Sequence, residues 1–207
     1  LKNNAAFVGE NYNPSGFVDD ILQLAPDTTN IVCVIGASPT EQYWTAVCRS
    51  DFARFTNQVG FTWLNELSFD QMLERVKNLP PHSFILLIQM ARDATGATHN
   101  PDEFLARMNA VANAPVNSVF EQQLGLGIVG GRLYRAGAEG TEAGRLAVRI
   151  LQGEAASNIP PIILQPIGSQ YDWRELRKWG ISETRLPEGS VVKFREPTFL
   201  RQHRLAI

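Results

Sequence analysis

Polar side chains follow the longest apolar run of this chain, at the position where a strand of a parallel sheet would end. Arg92 and Asp93 come directly after the run Phe84–Met90, which also contains Gln89. An arginine at such a position can hold a carboxylate through two parallel hydrogen bonds. A salt bridge between Arg92 and Asp93 that only shapes the loop is the alternative. The sequence leaves both interpretations open.

Other residues occupy equivalent positions along the chain. Ser38 follows the first apolar run, and Tyr43 lies about one turn into the helix pattern after it. Phe120 and Glu121 follow a later run in the same way. Carboxyl ends of parallel strands meet at one edge of an open α/β sheet, where ligands bind. We therefore predict one ligand-binding rim formed by Ser38, Tyr43, Gln89, Arg92, Asp93, Phe120 and Glu121.

A glycine-rich stretch has the G-x-G-x-x-G spacing of a dinucleotide loop at Gly125, Gly127 and Gly130. Its context does not fit, because the next helix pattern starts only after Tyr134. The position about 20 residues further on is Ile150, not the acid that would bind a ribose. A strand whose glycines allow close backbone packing is the favoured interpretation.

The sequence offers little support for catalysis. No serine stands in a G-x-S-x-G nucleophile elbow. The three histidines, His82, His99 and His203, are far apart and show no metal-ligand spacing. The neighbouring acids Asp19 and Asp20 are expected on the solvated face of a helix. We predict a binding domain without enzymatic activity, and we expect neither a cofactor nor a metal.

Composition limits the possible partners. The chain has 207 residues, of which 44% are hydrophobic and 19% charged, as in a folded domain. Its formal net charge of −2 provides no basic surface for nucleic acid or anionic lipid. No apolar run reaches the roughly 18 residues that span a bilayer. Cys33 and Cys48 are expected to be buried free thiols, although a disulfide between strand and helix stays open.

Short apolar runs alternate with amphipathic helix patterns, which predicts an α/β fold with a parallel sheet between two helical layers. We expect the strand order to reverse once. Ser38, Pro39 and Glu41 have the spacing of a capping box, and Ser15 is the expected cap of the first helix. The predicted strands cover about 31–35, 59–63, 84–90, 115–120 and 127–131, with an extended segment at 160–165. The predicted helices cover about 15–24, 40–55, 68–79, 101–112, 137–152 and 172–179.

Several segments resemble the outer sensor region of a group of proteobacterial two-component sensor histidine kinases. That region is related to the substrate-binding proteins of ABC transporters. The resemblance covers nearly the whole chain and is strongest after Pro115. The segments that carry it are Gly36–Pro39, Phe61–Leu64, Arg92–Asp93, Gly127–Arg132, Glu139–Glu154, Ile159–Pro161, Tyr171–Ser190 and Phe194–Pro197.

The resemblance implies a periplasmic-binding-protein-like fold of type I, with two lobes that close on a small molecule. Residues 1–153 would form one lobe with its long closing helix, and residues 154–207 a proline-rich return segment and juxtamembrane strap. Most of the first lobe is expected to be absent, which leaves surfaces bare or covered by a second copy in a homodimer. The segment Arg201–Ile207 resembles the approach to a transmembrane helix, which implies a periplasmic domain tethered to the inner membrane.

The sequence is therefore consistent with three functions. The first is the ligand-sensing domain of a histidine kinase, and the second is a binding protein that delivers solute to an ABC permease. The third is a cytoplasmic α/β enzyme that uses the glycine-rich loop. The sequence does not identify the ligand.

Overall fold

The computed structural model describes residues 5–164 and 168–196. The segment Arg201–Ile207, expected to approach a membrane, lies outside the described residues. Within them, no helix is long and apolar enough to cross a bilayer. The strands are β1 (Val8–Glu10), β2 (Asn30–Ile35), β3 (Gly60–Trp63), β4 (Ser83–Gln89), β5 (Val116–Ser118), β6 (Gly130–Gly131), β7 (Ile162–Leu164), β8 (Gln170–Asp172) and β9 (Val191–Lys193). The helices are α1 (Ser15–Leu24), α2 (Pro39–Phe52), α3 (Phe69–Lys77), α4 (Pro101–Val111), α5 (Ala136–Leu151) and α6 (Trp173–Lys178).

The central sheet has four parallel strands in the order β3-β2-β4-β5. Val32 of β2 pairs with Thr62 of β3 on one side and with Ile85 of β4 on the other. Because β3 and β4 lie on opposite sides of β2, the strand order reverses once. The prediction of a parallel α/β sheet is confirmed.

Side chains of the two central strands point alternately to two helical layers. Ile31, Cys33 and Ile35 of β2 pack in one core with residues of α1 and α2. Val32 and Val34 belong to a second core with residues of α3 and α4. A strand that is covered on both faces needs an uninterrupted apolar sequence, which explains the runs in β2 and β4. We call these four strands and four helices the central lobe, a three-layer α/β/α arrangement.

Capping boxes fix where two of the described helices begin. Ser38 and Glu41 form the predicted capping box of α2, and Ser68 forms a second one at α3 with Gln71. The prediction that Ser15 caps α1 is wrong. The preceding residue, Pro14, already has helical torsions, so Ser15 falls inside the helix, and its hydroxyl hydrogen-bonds the side chain of Asn13 at 2.9 Å.

A smaller unit lies beside the central lobe. Strand β1 pairs in parallel with β7, and α5 packs against β1. We call β1, β7 and α5 the small unit. The chain then returns to the central lobe through β8, which pairs with β6 and with β9. The predicted domain boundary after Gly153 is not tested by these contacts and stays a prediction.

The glycine-rich stretch allows close packing of backbone against backbone. Gly130 has a φ of +108°, and a Cβ on it would lie 2.1 Å from the carbonyl oxygen of Gln170 in β8. A Cβ on Gly127 would lie 2.5 Å from the side-chain nitrogen of Asn109. These positions therefore need glycine for packing, which is the interpretation that the sequence favoured.

The expectation that Asp19 and Asp20 are both solvated is wrong for Asp20. Asp20 is buried, and its carboxylate accepts hydrogen bonds from the backbone N–H, Nε and Nη2 of Arg132 at 3.0, 2.9 and 2.8 Å. Asp19 is half-exposed and pairs with Arg54. Neighbouring residues of α1 thus have different roles. Asp20 joins α1 to the residues after β6, and Asp19 forms a salt bridge at the surface.

We expect Asp20→Ala to lower the free energy of unfolding by about 3 kcal/mol. Removal of a buried carboxylate leaves its cation and a backbone N–H without their partner. Asp19→Ala is the matched control and should change stability by less than about 0.5 kcal/mol, as exposed pairs do. Urea unfolding of the two variants measures the difference. Equal effects would contradict the structural role of Asp20.

Candidate functional site

A cleft of about 310 Å³ lies where the small unit meets the carboxyl ends of β4 and β5. Its volume is at the lower end of the range of small-molecule sites. The cleft combines residues of β1 and its continuation, α2, β4, the segment after β5, and the start of α5. These residues are Phe7, Val8, Gly9, Glu10, Tyr12, Trp44, Ile88, Gln89, Val119, Phe120, Tyr134 and Glu139.

Two aromatic pairs contribute to the cleft walls. The ring centroids of Tyr12 and Trp44 are 4.7 Å apart in an edge-on arrangement. Those of Phe120 and Tyr134 are 6.0 Å apart, also edge-on. Burial raises the pKa of Tyr12 well above its usual range, so its hydroxyl stays neutral. The walls therefore offer rigid, amphipathic ring surfaces, which bind planar or apolar groups with little loss of side-chain entropy.

Two carboxylates enter the cleft from the small unit. Glu10, at the end of β1, accepts the backbone N–H of Arg135 at 3.2 Å, and its other oxygen lies 3.8 Å from the guanidinium Nε of Arg135. Glu139, in the first turn of α5, accepts a hydrogen bond from the hydroxyl of Tyr134. Glu10 thus fixes the start of α5, while Glu139 and Tyr134 place one polar pair in the cleft.

The amide of Gln89 is the polar group that the central lobe supplies. Gln89 ends β4 and is half-buried. Within the part of the chain that the structure describes, its side chain makes no hydrogen bond. A side-chain amide can donate two hydrogen bonds and accept two. Gln89 is therefore placed to bond a ligand without breaking a protein contact.

A buried carboxylate holds the loops around the cleft. Glu41 has no solvent exposure. One of its oxygens accepts the backbone N–H of Ser38 at 2.8 Å, and the other accepts that of Ala91 at 2.6 Å. These bonds join the start of α2 to the loop after β4. They fix the position of Trp44 relative to Gln89.

The structure brings two residues of the predicted rim, Gln89 and Phe120, into the cleft. Ser38 and Asp93 instead make hydrogen bonds within the protein. The Ser38 hydroxyl accepts the backbone N–H of Glu41 at 3.3 Å as the cap of α2.

The Asp93 carboxylate is surrounded by groups of its own loop and of α3. It accepts the backbone N–H groups of Phe69, Thr95 and Ala97 at 3.0, 2.9 and 3.1 Å, and the Thr95 hydroxyl at 2.6 Å. The His99 ring lies 3.1 Å away. Burial alone would raise the pKa of Asp93, but these hydrogen bonds outweigh it and hold that pKa well below its usual range. These hydrogen bonds give Asp93 a structural role, and its place in a ligand rim stays a prediction.

Three other rim residues lie away from the cleft. Tyr43 is 61% exposed and packs edge-on against Trp44, which lines the cleft in its place. Arg92 is exposed, and within the described residues it forms no salt bridge with Asp93. Glu121 accepts a hydrogen bond from the side chain of Gln170 at 3.0 Å and so contacts the return segment. A role for these three in binding stays a prediction.

Sequence reasoning missed most of the cleft. Glu10 ends a strand of three residues and Tyr12 follows it, and such a strand is too short to show a periodic pattern. Trp44 lies one residue, about 100° around the helix, from the predicted Tyr43. Tyr134 and Glu139 lie at the start of α5, where the sequence pattern predicts only a helix and not which of its residues face a cleft. The available signal was the density of aromatic residues beside acids at the ends of predicted elements.

No protein-family model and no curated protein matches this chain. Solved structures do match. They include a conserved domain protein from Vibrio cholerae (TM-score 0.65, 14% identity) and a substrate-binding protein with adhesive properties from Clostridium difficile in a ligand-free, open form (0.62, 13%). A third is an ABC domain from Streptococcus pneumoniae in complex with L-Trp (0.63, 15%).

Each match covers 90–91% of this chain and 62% of the other, so the chain spans less than two thirds of the neighbours' length. At these identities the likeness is one of fold. The chain therefore shares the periplasmic-binding-protein-like α/β fold of these structures, one of which is described as a substrate-binding protein.

We expect Asp93→Ala to lower the free energy of unfolding by about 2 kcal/mol at neutral pH, because it leaves buried donors unsatisfied. Arg92→Ala, the adjacent control, should stay within about 0.5 kcal/mol, because Arg92 is exposed. The lowered pKa of Asp93 means that its contribution is fully present above about pH 4 and is lost as the pH falls through the folded-state pKa. Urea unfolding at pH 7 and in strong acid measures both. A larger loss in Arg92→Ala than in Asp93→Ala would contradict the assignment.

Proposed function

We propose that this protein binds a small molecule in the cleft, and that the ligand closes the small unit onto the central lobe. The observation that carries the proposal is the cleft itself. It lies at the carboxyl edge of a parallel sheet, where open α/β folds bind ligands. Its walls combine two aromatic pairs with the amide of Gln89, which is free to bond a ligand.

The two walls belong to different parts of the chain, which is the basis for closure. Trp44, Gln89 and Phe120 come from the central lobe or directly follow it, whereas Glu10 and Glu139 come from the small unit. A ligand that contacts both walls binds the closed form more tightly than the open form. It therefore shifts the equilibrium toward closure by the difference between the two binding free energies.

We further propose that the protein is the outer, ligand-sensing domain of a two-component sensor histidine kinase. On this proposal the domain is periplasmic, has no catalytic activity of its own, and is tethered to the inner membrane by residues beyond Ile207. The support is the resemblance of the segments Glu139–Glu154 and Tyr171–Ser190 to such sensor regions. The alternative is the substrate-binding protein of an ABC transporter, and one neighbour is described as a substrate-binding protein. The reading frame after Ile207 discriminates between them: a hydrophobic span and a kinase core support the sensor, and a stop codon supports the transporter.

We also propose that the small unit is the described portion of a larger first lobe. The neighbours with this fold are longer than the chain, and α5 and β7 expose apolar side chains at Val148, Leu151 and Ile163. On this proposal, residues of the first lobe would cover them. A stable dimer of the segment would instead indicate that a second copy does so.

We expect Gln89→Ala to weaken ligand binding about three- to tenfold, the value of one hydrogen bond between neutral groups. The melting temperature should not change, because the amide makes no hydrogen bond within the described residues. Native mass spectrometry with a metabolite panel identifies the ligand, and calorimetric titration measures the affinity. Gln58→Ala is the matched control, since Gln58 is exposed and does not line the cleft. Unchanged affinity in both Gln89→Ala and Phe120→Ala would contradict a ligand in the cleft.

We expect the ligand to shorten the mean distance between spin labels at Ala46→Cys in α2 and Gly144→Cys in α5. The distribution of these distances should also become narrower. Ala46 is exposed, and a Cβ on Gly144 meets open space. The native Cys33 and Cys48 are buried free thiols, and burial raises the pKa of Cys48 to about 12, so labels should attach to the introduced cysteines.

Pulsed electron spin resonance measures these distances. The control pair, Ala46→Cys with Glu74→Cys in α3, lies within the central lobe and should keep its distance. An α2–α5 distance that does not respond to saturating ligand would contradict closure.

A further inference from the structure

The charged side chains that line the cleft, among the described residues, have one sign. Glu10 and Glu139 line it, and no lysine, arginine or histidine is found among its described lining residues. Charge that is focused into a low-dielectric cleft selects ligands of the opposite sign. What matters is therefore which of the two carboxylates is still available to a ligand.

Glu10 is already balanced within the protein. Its side chain is 8% exposed and that of Arg135 is 17% exposed, and the two form a salt bridge while Glu10 also accepts the Arg135 backbone N–H. Glu139 differs, because the described residues provide it with the Tyr134 hydroxyl and with no cationic side chain. Glu139 is half-buried at the cleft wall. Within the described residues, no hydrogen bond or salt bridge involves its second oxygen.

The aromatic residues of the cleft also favour a positively charged ligand. A cation over the face of a tyrosine or tryptophan ring is attracted by the ring quadrupole, more strongly when it is desolvated. Tyr134 connects the two features, since its hydroxyl bonds Glu139 while its ring packs against Phe120. Gln89 can accept a hydrogen bond from an ammonium group.

An anionic group would find no cationic side chain among the described residues that line the cleft. Helix N-termini are the usual backbone sites for anions. Side chains already cap those of α2 and α4, with Ser38 and Glu41 at the first and Asn100 at the second. The first turn of α5 carries Glu139 itself. A ligand carboxylate could bond the Gln89 amide, but it would meet the charge of Glu139 and no cationic side chain among the described lining residues.

From these observations we propose that the cleft selects an organic cation, a protonated amine attached to a planar or apolar body. The ammonium group lies between Glu139, Tyr134 and Gln89, and the body packs against Trp44 and Phe120. This inference rests on the proposed binding function of the cleft and adds the charge of the ligand to it.

Four indole compounds of similar size test the charge preference: tryptamine (cationic), tryptophol (neutral), indole-3-acetate (anionic) and L-Trp (zwitterionic). Each is titrated calorimetrically into the whole chain at pH 7 and fixed ionic strength. We expect tryptamine to bind at least about tenfold more tightly than tryptophol and L-Trp, and indole-3-acetate to bind most weakly. Glu139→Gln should remove the preference for tryptamine over tryptophol.

Glu142→Gln is the matched control. Glu142 lies one turn further along α5, pairs with Arg145 and does not line the cleft, so the preference for tryptamine should persist in this variant. Equal binding of tryptamine and tryptophol, or tighter binding of indole-3-acetate, would overturn the cation preference and leave ligand binding in the cleft standing. A folded protein that binds none of the four compounds would overturn the cation proposal. The metabolite panel and the Gln89→Ala variant would then decide separately whether the cleft binds any ligand.

Discussion

The buried carboxylate of Glu41 is the group on which the geometry of the cleft depends. It bonds one loop at Ser38 and another at Ala91, and so fixes the start of α2 against the end of β4. Without these bonds a charge would be buried without partners, which is far more costly than a lost contact at the surface. Gly36 shows how tightly this carboxylate is enclosed, since a Cβ there would lie 2.4 Å from one of its oxygens. The Glu41 side chain and the two loops that it bonds thus occupy the crevice between β2 and β4, where the strand order reverses. The space for a ligand lies instead toward the small unit.

The sequence predicted the central lobe well because that lobe is built from local signals. Apolar runs and helix periodicity show which face of each element is buried, and Ser38 and Ser68 mark two helix starts. The cleft was predicted only through Gln89 and Phe120. Its other walls depend on segments at opposite ends of the sequence, such as those of Glu10 and Glu139, which become neighbours only when β1 and α5 pack together. No local pattern carries that information.

Two buried acids also differ in whether the local sequence predicts their structural role. The partners of Asp93 lie mostly within six residues of it, in a turn in which the side chain bonds the backbone two residues further on. Such turns are typical of Asp, so a structural role was foreseeable. Asp20 depends on Arg132, more than half the chain away in sequence. Its neighbour Asp19 carries the same charge and lies in the same helix. Only the tertiary structure therefore shows which of the two acids is buried and which is exposed.

The connection between Tyr134 and α5 restricts how the small unit can move. The backbone of Tyr134 is held to the central lobe by hydrogen bonds on both sides, donated to Val119 and accepted from Glu121, at 2.7 and 3.0 Å. Helix α5 begins two residues later at Ala136. Arg135 alone lies between them, and a residue has two soft torsions. Along this connection the helix can therefore swivel about a nearly fixed point but cannot slide. Residues near the pivot sweep short arcs and the far end of α5 a long one, so the same few degrees of torsion move Glu139 slightly and Leu151 much further.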